Sequence, residues 1–387
     1  MIHTGIRFTK KVYDIYILPK SVKTVIYLQI RGFLMKVALL GLLQSGKSTL
    51  LSAISGKAMP PPGAVAIEEA IVPVPDERLD WLKGVYKPKK TVHATIDCLD
   101  LPGFNFTDEH GRAAARRQIN QVRTVDMLVL IVRAFEDMSV PPYRDRVDPA
   151  GDLSELQTEL LLADLELVAT RLERLEKQAH KPTKTQGQDK AELALQKKLS
   201  DAIESGRSIS SVIQTDAERE MIKSLGFLTL KPMVAAVNVG EGRLNEKFQF
   251  ADLTAPVITI SSKLEYELSQ LDAASRGEFM ADMGITSSAV SSFVNSCYSA
   301  LGLISFLTVG EDEVRAWPIK QGTTAHDAAG KVHSDIKRGF IRAETFGYED
   351  LKKLGNEKAV KAAGKVRLEG KEYVVKDGDI INFRFNV

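Results

Sequence analysis

The feature that most constrains the fold is residues 35–56, which read MKVALLGLLQSGKSTLLSAISG. An apolar run rich in Val and Leu leads into the pattern Gly-x-x-x-x-Gly-Lys-Ser, and an apolar stretch compatible with a helix follows. In this context the glycines let the backbone wrap, so that successive N–H groups point inward at a polyphosphate. Isolated copies of the pattern occur by chance, but its placement between a strand and a helix predicts a phosphate-binding loop.

The residue types in this loop predict which atoms contact the ligand. Lys47 would reach the β- and γ-phosphates and stabilise transition-state charge, and the Ser48 hydroxyl would hold Mg²⁺. We therefore expect a nucleotide to be bound here by Gly41, Gln44, Ser45, Gly46, Lys47, Ser48 and Thr49.

A second part of the same site is predicted at the end of residues 91–100, TVHATIDCLD, which alternate as a strand should before turning apolar. The stretch runs into Asp100-Leu101-Pro102-Gly103. A carboxylate at the strand tip can hold the Mg²⁺ water shell, and the Gly103 N–H can meet a γ-phosphate during catalysis. Asp-x-x-Gly is weak alone; it gains weight by lying about fifty residues after the phosphate loop, at the tip of a predicted strand.

Further apolar runs predict the rest of an α/β fold. Residues 126–132, 232–238 and 256–261 read as buried strands with helical stretches between them, which favours a mostly parallel sheet covered on both faces. Asn238-Val239-Gly240-Glu241 follows one strand and Ser261-Ser262-Lys263 follows the next. Nucleotide-base pockets lie at the carboxyl ends of such strands. We therefore expect Asn238, Val239, Glu241, Ser261 and Ser262 near a base, although as isolated strings they are ordinary turns.

Residues 151–227 have a different texture. Apolar side chains recur there at spacings of four and three and predict an amphipathic helix with a coiled-coil seam, formed by Leu161, Leu165, Val168, Leu172 and Leu175. Residues 181–190 are polar with Pro and Gly and predict the turn of a helical hairpin, and residues 191–199 return along it. Thr215 and Glu218 predict a capping box for a third short helix. The leucine stripe favours internal packing, but a protruding hairpin also suits a partner-binding arm.

The tail from about residue 304 changes again, to short segments separated by turns. Residues 372–387 place strand-like runs on either side of Asp377-Gly378-Asp379, a turn signal, and so predict a small α+β module. Its Phe383 and Phe385 alternate, which favours a place in the core over a base-stacking surface. Acids lie among the basic residues of this segment, so its basic signal is weak.

Composition excludes several classes of protein. At 387 residues, 44% hydrophobic and 26% charged, the chain should fold as two or three globular domains. The net charge of +2 gives no general attraction to nucleic acid, and no apolar run reaches transmembrane length. Cys98 and Cys297 lack metal-ligand spacing and predict buried, inert thiols in a reducing cytoplasm.

Residues 1–34 form a basic leader with six Lys or Arg against one acid, Asp14. A targeting peptide is one interpretation, but charges break its apolar part and no clear small-residue cleavage site follows. An upstream start codon or a dispensable extension is favoured, because the first strand is complete from Met35.

Eight long and specific segments occur in the order found in one family. They are VPVPDERLD (72–80), KPKK (87–90), VRAFED (132–137), TELLLADLELVATRLERLEK (158–177), LGFLTLKP (225–232), EVRAWPIKQGTTAHDAAGKVH (313–333), RGFIRAE (338–344) and DGDIINFRFNV (377–387). Through them the chain from Met35 to Val387 resembles YchF, the Obg-like ATPase family within the translation-factor class of P-loop proteins.

This resemblance implies a domain organisation and a partner. A P-loop NTPase domain would span residues 35–150 and 228–303, interrupted by the helical insertion of 151–227 and followed by a TGS domain of ubiquitin-like fold in 304–387. Residues 1–34 stay outside the resemblance, which supports Met35 as the functional beginning. Association with ribosomes, through ribosomal RNA or protein, is also implied. We expect a cytoplasmic monomer that binds no membrane.

The resemblance also bears on the choice of base. GTP-specific relatives use Asn-Lys-x-Asp, whose Asp accepts two hydrogen bonds from guanine. Here Val239 replaces the Lys that packs on the base, and Glu241 replaces the Asp with a longer arm. The family carries Asn-x-x-Glu and is similar in accepting ATP, and its Arg-Ala-Phe-Glu-Asp segment implies that Phe135 lines the adenine site. We expect ATP to be preferred over GTP.

Several positions depart from the family pattern in the parts that hydrolyse the nucleotide. Gln44 stands where the family has an Asn that can help hold a monovalent cation, and Ala66 stands where a Thr completes the Mg²⁺ shell. Residues 104–118 lack most glycines of the family loop, and Leu130 replaces a His implicated in hydrolysis. Phe104 occupies the position of the water-orienting Gln of many GTPases, as is usual in the family. The binding cradle is thus expected to be intact while parts of the hydrolytic apparatus are missing.

Three functions fit these observations. The first is a slow ATP or GTP hydrolase that uses Mg²⁺ and switches state on a ribosomal partner. The second is a divergent paralogue that holds a nucleotide and signals by occupancy, with little turnover. In the third, the hairpin and the TGS domain carry the main function and the nucleotide only orders the fold.

Overall fold

The structure is a computed structural model that describes residues 35–61, 66–179, 186–251, 253–285 and 288–386. The predictions for residues 1–34 and for residues 181–185 of the hairpin turn lie outside these ranges. In the described part, the strands form two six-stranded sheets. The strands are β1 (Lys36–Leu40), β2 (Glu68–Pro73), β3 (Lys90–Val92), β4 (Thr95–Asp100), β5 (Met127–Ala134), β6 (Met233–Val239), β7 (Val257–Ile260), β8 (Leu303–Thr308), β9 (Glu313–Lys320), β10 (Phe340–Gly347), β11 (Arg367–Glu369) and β12 (Asp379–Phe385).

Helices connect the strands and cover the sheets. They are α1 (Lys47–Ser55), α2 (Glu77–Tyr86), α3 (Glu109–Gln121), α4 (Pro149–Ala179), α5 (Gln186–Glu204), α6 (Asp216–Lys223), α7 (Ser262–Gln270), α8 (Ala273–Asp282), α9 (Ala289–Ala300), α10 (Ala325–Val332), α11 (Ser334–Arg338), α12 (Tyr348–Leu354) and α13 (Glu357–Ala362).

The first sheet has the strand order β2-β4-β1-β5-β6-β7. All neighbouring strands are parallel except β2, which runs antiparallel to β4 at one edge. Every residue of β5 is buried, and so are all but the first of β6, as expected for central strands covered on both faces. The prediction of an α/β fold with a mostly parallel sheet is confirmed, and the segments that follow β1, β4, β5, β6 and β7 meet at one edge.

The single strand predicted for residues 91–100 is wrong in one respect. The stretch is divided: β4 lies beside β1 in the first sheet, whereas β3 pairs in parallel with β9 in the second. The alternating pattern continues through residues 93 and 94, so the sequence carries no local sign of the break. β3 nonetheless lies outside the first sheet, because its partner strand is β9, a strand of the second sheet.

The predicted amphipathic helix and its return form a helical hairpin, α4 and α5. The first part of α4 packs into the core of the first sheet, through Leu153, Leu156 and Leu160. Further along, Val168 joins a separate core with Leu195 and Leu199 of α5. The leucine stripe therefore packs internally, as the sequence favoured. α5 begins at Gln186, so residues 186–190 of the predicted 181–190 turn are helical. The capping box of Thr215 and Glu218 is present at the start of α6.

The second sheet is mixed and has the strand order β11-β10-β12-β8-β9-β3. Its core contains Phe306, Phe340 and Phe383, so the prediction that Phe383 packs inside is confirmed. The turn at Asp377-Gly378 is also present, with Gly378 at φ +79°. Only the run after this turn forms a named strand, β12; before it, Val374 makes an isolated bridge to Thr324.

The segment between β2 and β4 joins the two sheets. Asp76 caps α2, and Arg78 Nη1 donates to Asp377 Oδ2 over 2.8 Å. Asp377 Oδ1 in turn accepts from the Ser305 N–H of β8 over 2.8 Å. At the other end of α2, the Tyr86 hydroxyl donates to Glu357 over 2.6 Å. The strand that carries Asp100 is therefore preceded by a segment that is bonded to the second sheet.

Two further predictions concern the whole chain. Cys98 and Cys297 are both buried, and burial raises the pKa of each thiol, that of Cys297 to about 12. The predicted burial is confirmed; a thiol that stays protonated is a poor nucleophile, which agrees with the predicted inert character. Within the described ranges, no helix combines the length and apolar character needed to cross a membrane.

Candidate functional site

The predicted phosphate loop lies between β1 and α1, at the carboxyl edge of the first sheet. Gly41 is tightly enclosed, since a Cβ there would lie 2.5 Å from the Ile131 carbonyl oxygen. Gly46 adopts φ +89°, and a Cβ there would collide with the Asn238 amide. Both glycines are thus required by close approach of the surrounding chain. Residues Gln44, Ser45, Ser48 and Thr49 complete the loop and the first turn of α1.

Gln44 has an unusual backbone conformation for its residue type. Its φ is +60°, in the left-handed region, where Asn is enriched several-fold over most other non-glycine residues. The resemblance implies an Asn at this position, so the substitution by Gln carries a backbone penalty as well as a different side chain. Gln44 is exposed, so its amide is open to a ligand rather than packed in the core.

Lys47, Ser48 and Asp100 form a polar cluster beneath the loop. Lys47 is 5% exposed and Asp100 is 4% exposed. The Ser48 hydroxyl donates to Asp100 Oδ2 over 2.5 Å. Burial lowers the pKa of the Lys47 ammonium, which the Asp100 charge opposes. Burial raises the pKa of Asp100, while Lys47 and the Ser48 hydroxyl act in the other direction. A cation and a carboxylate are therefore buried together at the start of α1.

This cluster suits a hard cation. Asp100 Oδ1 is buried and has no hydrogen-bond partner among the described residues. One carboxylate and one hydroxyl are oxygen donors of the kind that Mg²⁺ takes, with phosphates and waters supplying the remaining ligands. In the same ranges no cluster of three His, Cys, Asp or Glu side chains is placed to hold a metal ion. Ser48 and Asp100 thus fit Mg²⁺ bound together with a phosphate ligand.

The segment after β4 is attached to the phosphate loop through its backbone. The Phe104 N–H donates to the Gly41 carbonyl over 3.0 Å, and the Leu43 N–H donates to the Phe104 carbonyl over 3.0 Å. Gly103 is packed against the same loop, since a Cβ there would lie 2.9 Å from the Leu43 Cα. Gly103 therefore lies against the phosphate loop, as its predicted role requires.

Asn238 has a role that the sequence did not reveal. Its side-chain Nδ2 donates to the Ser45 carbonyl over 2.9 Å, and its Oδ1 accepts from the Ser262 N–H over 2.9 Å. The Asn238 side chain is 3% exposed. It therefore ties the phosphate loop to the start of α7, where Ser261 is the N-cap residue and is also buried.

The other predicted base-contacting residues lie where β5 and β6 end. Ala134 of β5 is paired with Val239 of β6, so Phe135 follows directly beside the Asn238–Glu241 segment. Val239 is 2% exposed, with its side chain in the core of the first sheet. Phe135 is half-buried and Glu241 is exposed. Glu241 and the Phe135 ring thus have access to the surface, whereas the Val239 side chain does not.

Comparisons with known proteins identify the family. A family model described as 50S ribosome-binding GTPase matches residues 36–171, and the YchF-GTPase_C model, described as a protein of unknown function, matches residues 303–386. Ribosome-binding ATPase YchF of Bacillus subtilis (strain 168) is 39% identical over 364 residues, covering 90% of this chain and 98% of that protein. This chain belongs to the YchF family.

Other relatives agree in length as well as identity. Obg-like ATPase 1 of Oryza sativa subsp. japonica is 36% identical over 368 residues, covering 91% of this chain and 92% of that protein. The solved structure of the Schizosaccharomyces pombe YchF GTPase matches with a TM-score of 0.76 and 32% identity, covering 90% of this chain and 97% of that chain. The two sheets and the hairpin therefore follow the fold of the YchF family.

The positions that the resemblance links to hydrolysis have clear places in the structure. Leu130 is fully buried in the middle of β5, where it pairs with Leu40. Phe104 is 1% exposed and packs with Phe106 in the core, so it points away from solvent. Ala66 is exposed just before β2. In residues 104–118, α3 begins at Glu109 with Asp108 as its N-cap.

Proposed function

We propose that this member of the YchF family is a Mg²⁺-dependent purine-nucleotide switch, which binds ATP in preference to GTP, hydrolyses it slowly and acts on the ribosome. The observation that supports it most directly is the cluster of buried Lys47 and Asp100 with half-buried Ser48, beside the loop that contains Gly41 and Gly46. Buried charges without a ligand are costly. The phosphates would neutralise the Lys47 ammonium and Mg²⁺ the Asp100 carboxylate, while the neutral Ser48 hydroxyl would supply an oxygen to the metal.

The residues of the loop would act in distinct ways. Backbone N–H groups between Gly41 and Ser48 would donate to the phosphate oxygens, with the helix N-terminus adding its positive dipole end. Lys47 would place its ammonium beside the β- and γ-phosphates, where negative charge grows in the transition state. Ser48 and Asp100 would hold Mg²⁺, which when bound screens the phosphate charge. The Gly103 N–H would donate to the γ-phosphate.

The partner is proposed from the names of relatives and from the two appended elements. The Bacillus subtilis relative is named a ribosome-binding ATPase. We assign residues 304–387 as a TGS domain of ubiquitin-like fold and the α4–α5 hairpin as an arm of coiled-coil character, both available to ribosomal RNA or protein. With a ribosomal partner, we also propose that the protein acts in the cytoplasm and as a monomer.

A second function is favoured by one specific observation. Leu130, at the position where the resemblance implies a His implicated in hydrolysis, is packed inside the core. Its apolar side chain cannot orient a water molecule. A protein that retains the binding cradle but not this His would hold nucleotide and signal by occupancy, with little turnover.

One experiment separates the candidate functions. Purified protein is incubated with ATP and Mg²⁺, with and without ribosomes, and multiple-turnover phosphate release is measured. The slow hydrolase should release several equivalents of phosphate, faster with ribosomes, whereas the occupancy switch should not exceed one. If the hairpin and TGS domain carried the function alone, Lys47→Ala would leave ribosome binding unchanged.

The metal dependence tests the role of Asp100. We expect chelation of Mg²⁺ to weaken ATP binding to the wild-type protein by about tenfold, or about 1.4 kcal/mol. In Asp100→Asn the same chelation should change affinity by less than about threefold, since the carboxylate that holds the metal shell is gone. Calorimetric titration measures both, with Asp312→Asn, an exposed carboxylate just before β9, as control. Equal metal dependence in Asp100→Asn and wild type would contradict the assignment.

Base preference tests the role of Glu241. We expect ATP to bind at least as tightly as GTP, and Glu241→Asp to move the ratio toward GTP by about threefold to tenfold. An Asp there approaches the guanine-specific pattern, and a bidentate contact discriminates by about 1–3 kcal/mol in other base-recognition settings. Adding Val239→Lys would complete that pattern, but Val239 is buried, so the thermal midpoint of the double variant must be checked alongside. A ratio that stays unchanged would make residues 238–241 a polar turn without a base contact.

A further inference from the structure

Arg133 is an unusual buried cation at the carboxyl end of β5. Its side chain is 3% exposed. Its guanidinium donates from Nε to the Phe135 carbonyl over 3.1 Å, from Nη1 to the Pro141 carbonyl over 3.3 Å and from Nη2 to the Val140 carbonyl over 2.7 Å. The guanidinium thus holds both ends of the segment that leaves β5.

The same guanidinium also lies on an aromatic ring. Arg133 Cζ is 4.2 Å from the centroid of the Phe135 ring, within the range of a cation–π contact. Among the described residues, no carboxylate forms an ion pair with Arg133. Burial lowers the pKa of its guanidinium, while the charges of Asp137 and Asp152 oppose this. A buried guanidinium is costly unless it is bonded; here, carbonyl groups and one ring do the bonding.

This arrangement lies beside the proposed base site. Arg133 is paired with Asn238, and Ala134 with Val239, where β5 and β6 end. Arg243, two residues after Glu241, donates from Nη1 to the Ala134 carbonyl over 2.8 Å. The segment that starts at Phe135 is therefore held by the hydrogen bonds of Arg133, and the residue before it by the hydrogen bond from Arg243. Phe135, the first residue of this segment, is half-buried, whereas Glu136 and Met138 after it are exposed.

We propose that Arg133 is a positioning residue, whose guanidinium holds the Phe135 ring in the orientation that packs against the base of a bound purine nucleotide. The proposal rests on the proposed function. A ring held in its binding orientation before the ligand arrives loses no rotamer freedom on binding, so the free protein is already organised for the base. Lys could keep the charge of Arg133, but not the fixed fork of N–H donors that reaches three carbonyls.

Two ligands separate this role from simple support of the fold. ATP carries a base, whereas inorganic tripolyphosphate carries only the phosphate chain. If Arg133 acts through the Phe135 ring, its substitution should weaken ATP and leave tripolyphosphate unaffected. A role confined to the stability of the fold would weaken both ligands together, because the phosphate loop lies at the same edge of the sheet.

The experiment is a calorimetric titration of Mg²⁺-ATP and Mg²⁺-tripolyphosphate into wild type, Arg133→Lys, Phe135→Ala and the double variant. We expect Arg133→Lys and Phe135→Ala each to weaken ATP by about fivefold to tenfold and to change tripolyphosphate by less than about twofold. The double variant should be no weaker than Phe135→Ala alone, since one ring carries both effects. Arg315→Lys is the matched control, because Arg315 Cζ lies 4.0 Å from the Trp317 ring centroid in the second sheet.

The other outcomes contradict either the role of Arg133 or the proposed function itself. Additive losses in the double variant, an Arg133→Lys protein that binds ATP like wild type, or parallel losses of both ligands would overturn the proposal. Where Arg133→Lys does not fold, Arg133→Gln serves as the second variant, and a Phe135→Ala protein that keeps full ATP affinity overturns the proposal by itself. If wild type binds tripolyphosphate as tightly as ATP, the base adds no affinity, and the purine-nucleotide function is refuted instead.

Discussion

Replacing Asp164 with Ala should lower the free energy of unfolding by about 3–5 kcal/mol, the range for removing one partner of a buried ion pair. Asp164 is fully buried in α4 and accepts from Arg123 Nη1 over 2.7 Å. It also accepts from the Leu228 N–H over 3.0 Å, the Thr229 N–H over 2.9 Å and the Thr229 hydroxyl over 2.9 Å. Alanine would leave a partly buried guanidinium and two backbone donors without this acceptor.

The position of Asp164 makes the effect large. Ala163 belongs to the core of the first sheet, and Val168 to the separate core of the hairpin. Asp164 lies where α4 passes from one core to the other, and it bonds the helix to the segment that leads into β6. Arg123, which directly follows α3, also donates to the Ala163 carbonyl over 2.7 Å. Loss of the carboxylate therefore weakens the attachment of the hairpin to the first sheet.

Urea unfolding followed by far-UV circular dichroism measures the loss, and two variants control it. Asp164→Asn keeps an acceptor oxygen but no charge, so it should lose less, about 1–3 kcal/mol. Glu173→Ala removes an exposed carboxylate of the same helix, whose pair with Lys177 lies at the surface, and should change stability by less than about 1 kcal/mol. An Asp164→Ala protein as stable as Glu173→Ala would show that the four bonds contribute little.

The phosphate loop could be predicted from sequence because its signal is local. Its strand, glycines and helix lie within one short stretch, and the two glycines are required where they stand. Gly41 and Gly46 are needed for the close approach of Ile131 and Asn238, which the structure shows and the motif already encodes. The capping box of Thr215 and Glu218 is local in the same way.

The predictions that failed or fell short depend on contacts between distant parts of the chain. Asn238 reaches the Ser45 carbonyl across a sequence separation of 193 residues, so its tying role left no mark in its own segment. β3 pairs with β9, which lies more than two hundred residues later in the chain. The alternating pattern of residues 91–100 alone could not show which sheet β3 would join. Arg133 likewise carries no motif; only the carbonyls and the ring around it indicate what it does.

Replacing Lys47 with Ala should weaken triphosphate binding by at least about 2 kcal/mol, or roughly thirtyfold, because a charge-assisted contact to the β- and γ-phosphates is lost. The loss should be the same for ATP and for tripolyphosphate, since the contact is to phosphate and not to the base. Lys47→Met keeps most of the aliphatic stem and should lose nearly as much. Calorimetric titration with Mg²⁺ measures all of these, with the exposed Lys358→Ala as control.

Replacing Lys47 should lower affinity for the triphosphate but leave the nucleotide-free protein as stable as wild type, or more stable. Burial lowers the pKa of Lys47 below its usual 10.5, so the unfolded chain binds the proton more tightly than the folded one. The penalty of the buried charge is present at pH values below the folded pKa and is relieved as the pH rises through it toward 10.5. The unfolding free energy of wild type should therefore rise with pH, relative to that of Lys47→Met, over this window.

The two measurements together decide the role of Lys47. If Lys47 served the fold, its replacement would lower the stability of the protein. If it serves a ligand, its replacement lowers ligand affinity, and the free protein keeps or gains stability. If the Lys47→Met protein kept its triphosphate affinity, the phosphate-loop assignment would be contradicted, whatever the stability of that protein. Lys47→Met that unfolds at lower urea than wild type at neutral pH would show instead that the Asp100 carboxylate stabilises the ammonium by more than burial destabilises it. Affinity lost at equal or greater stability is the result that a binding residue requires.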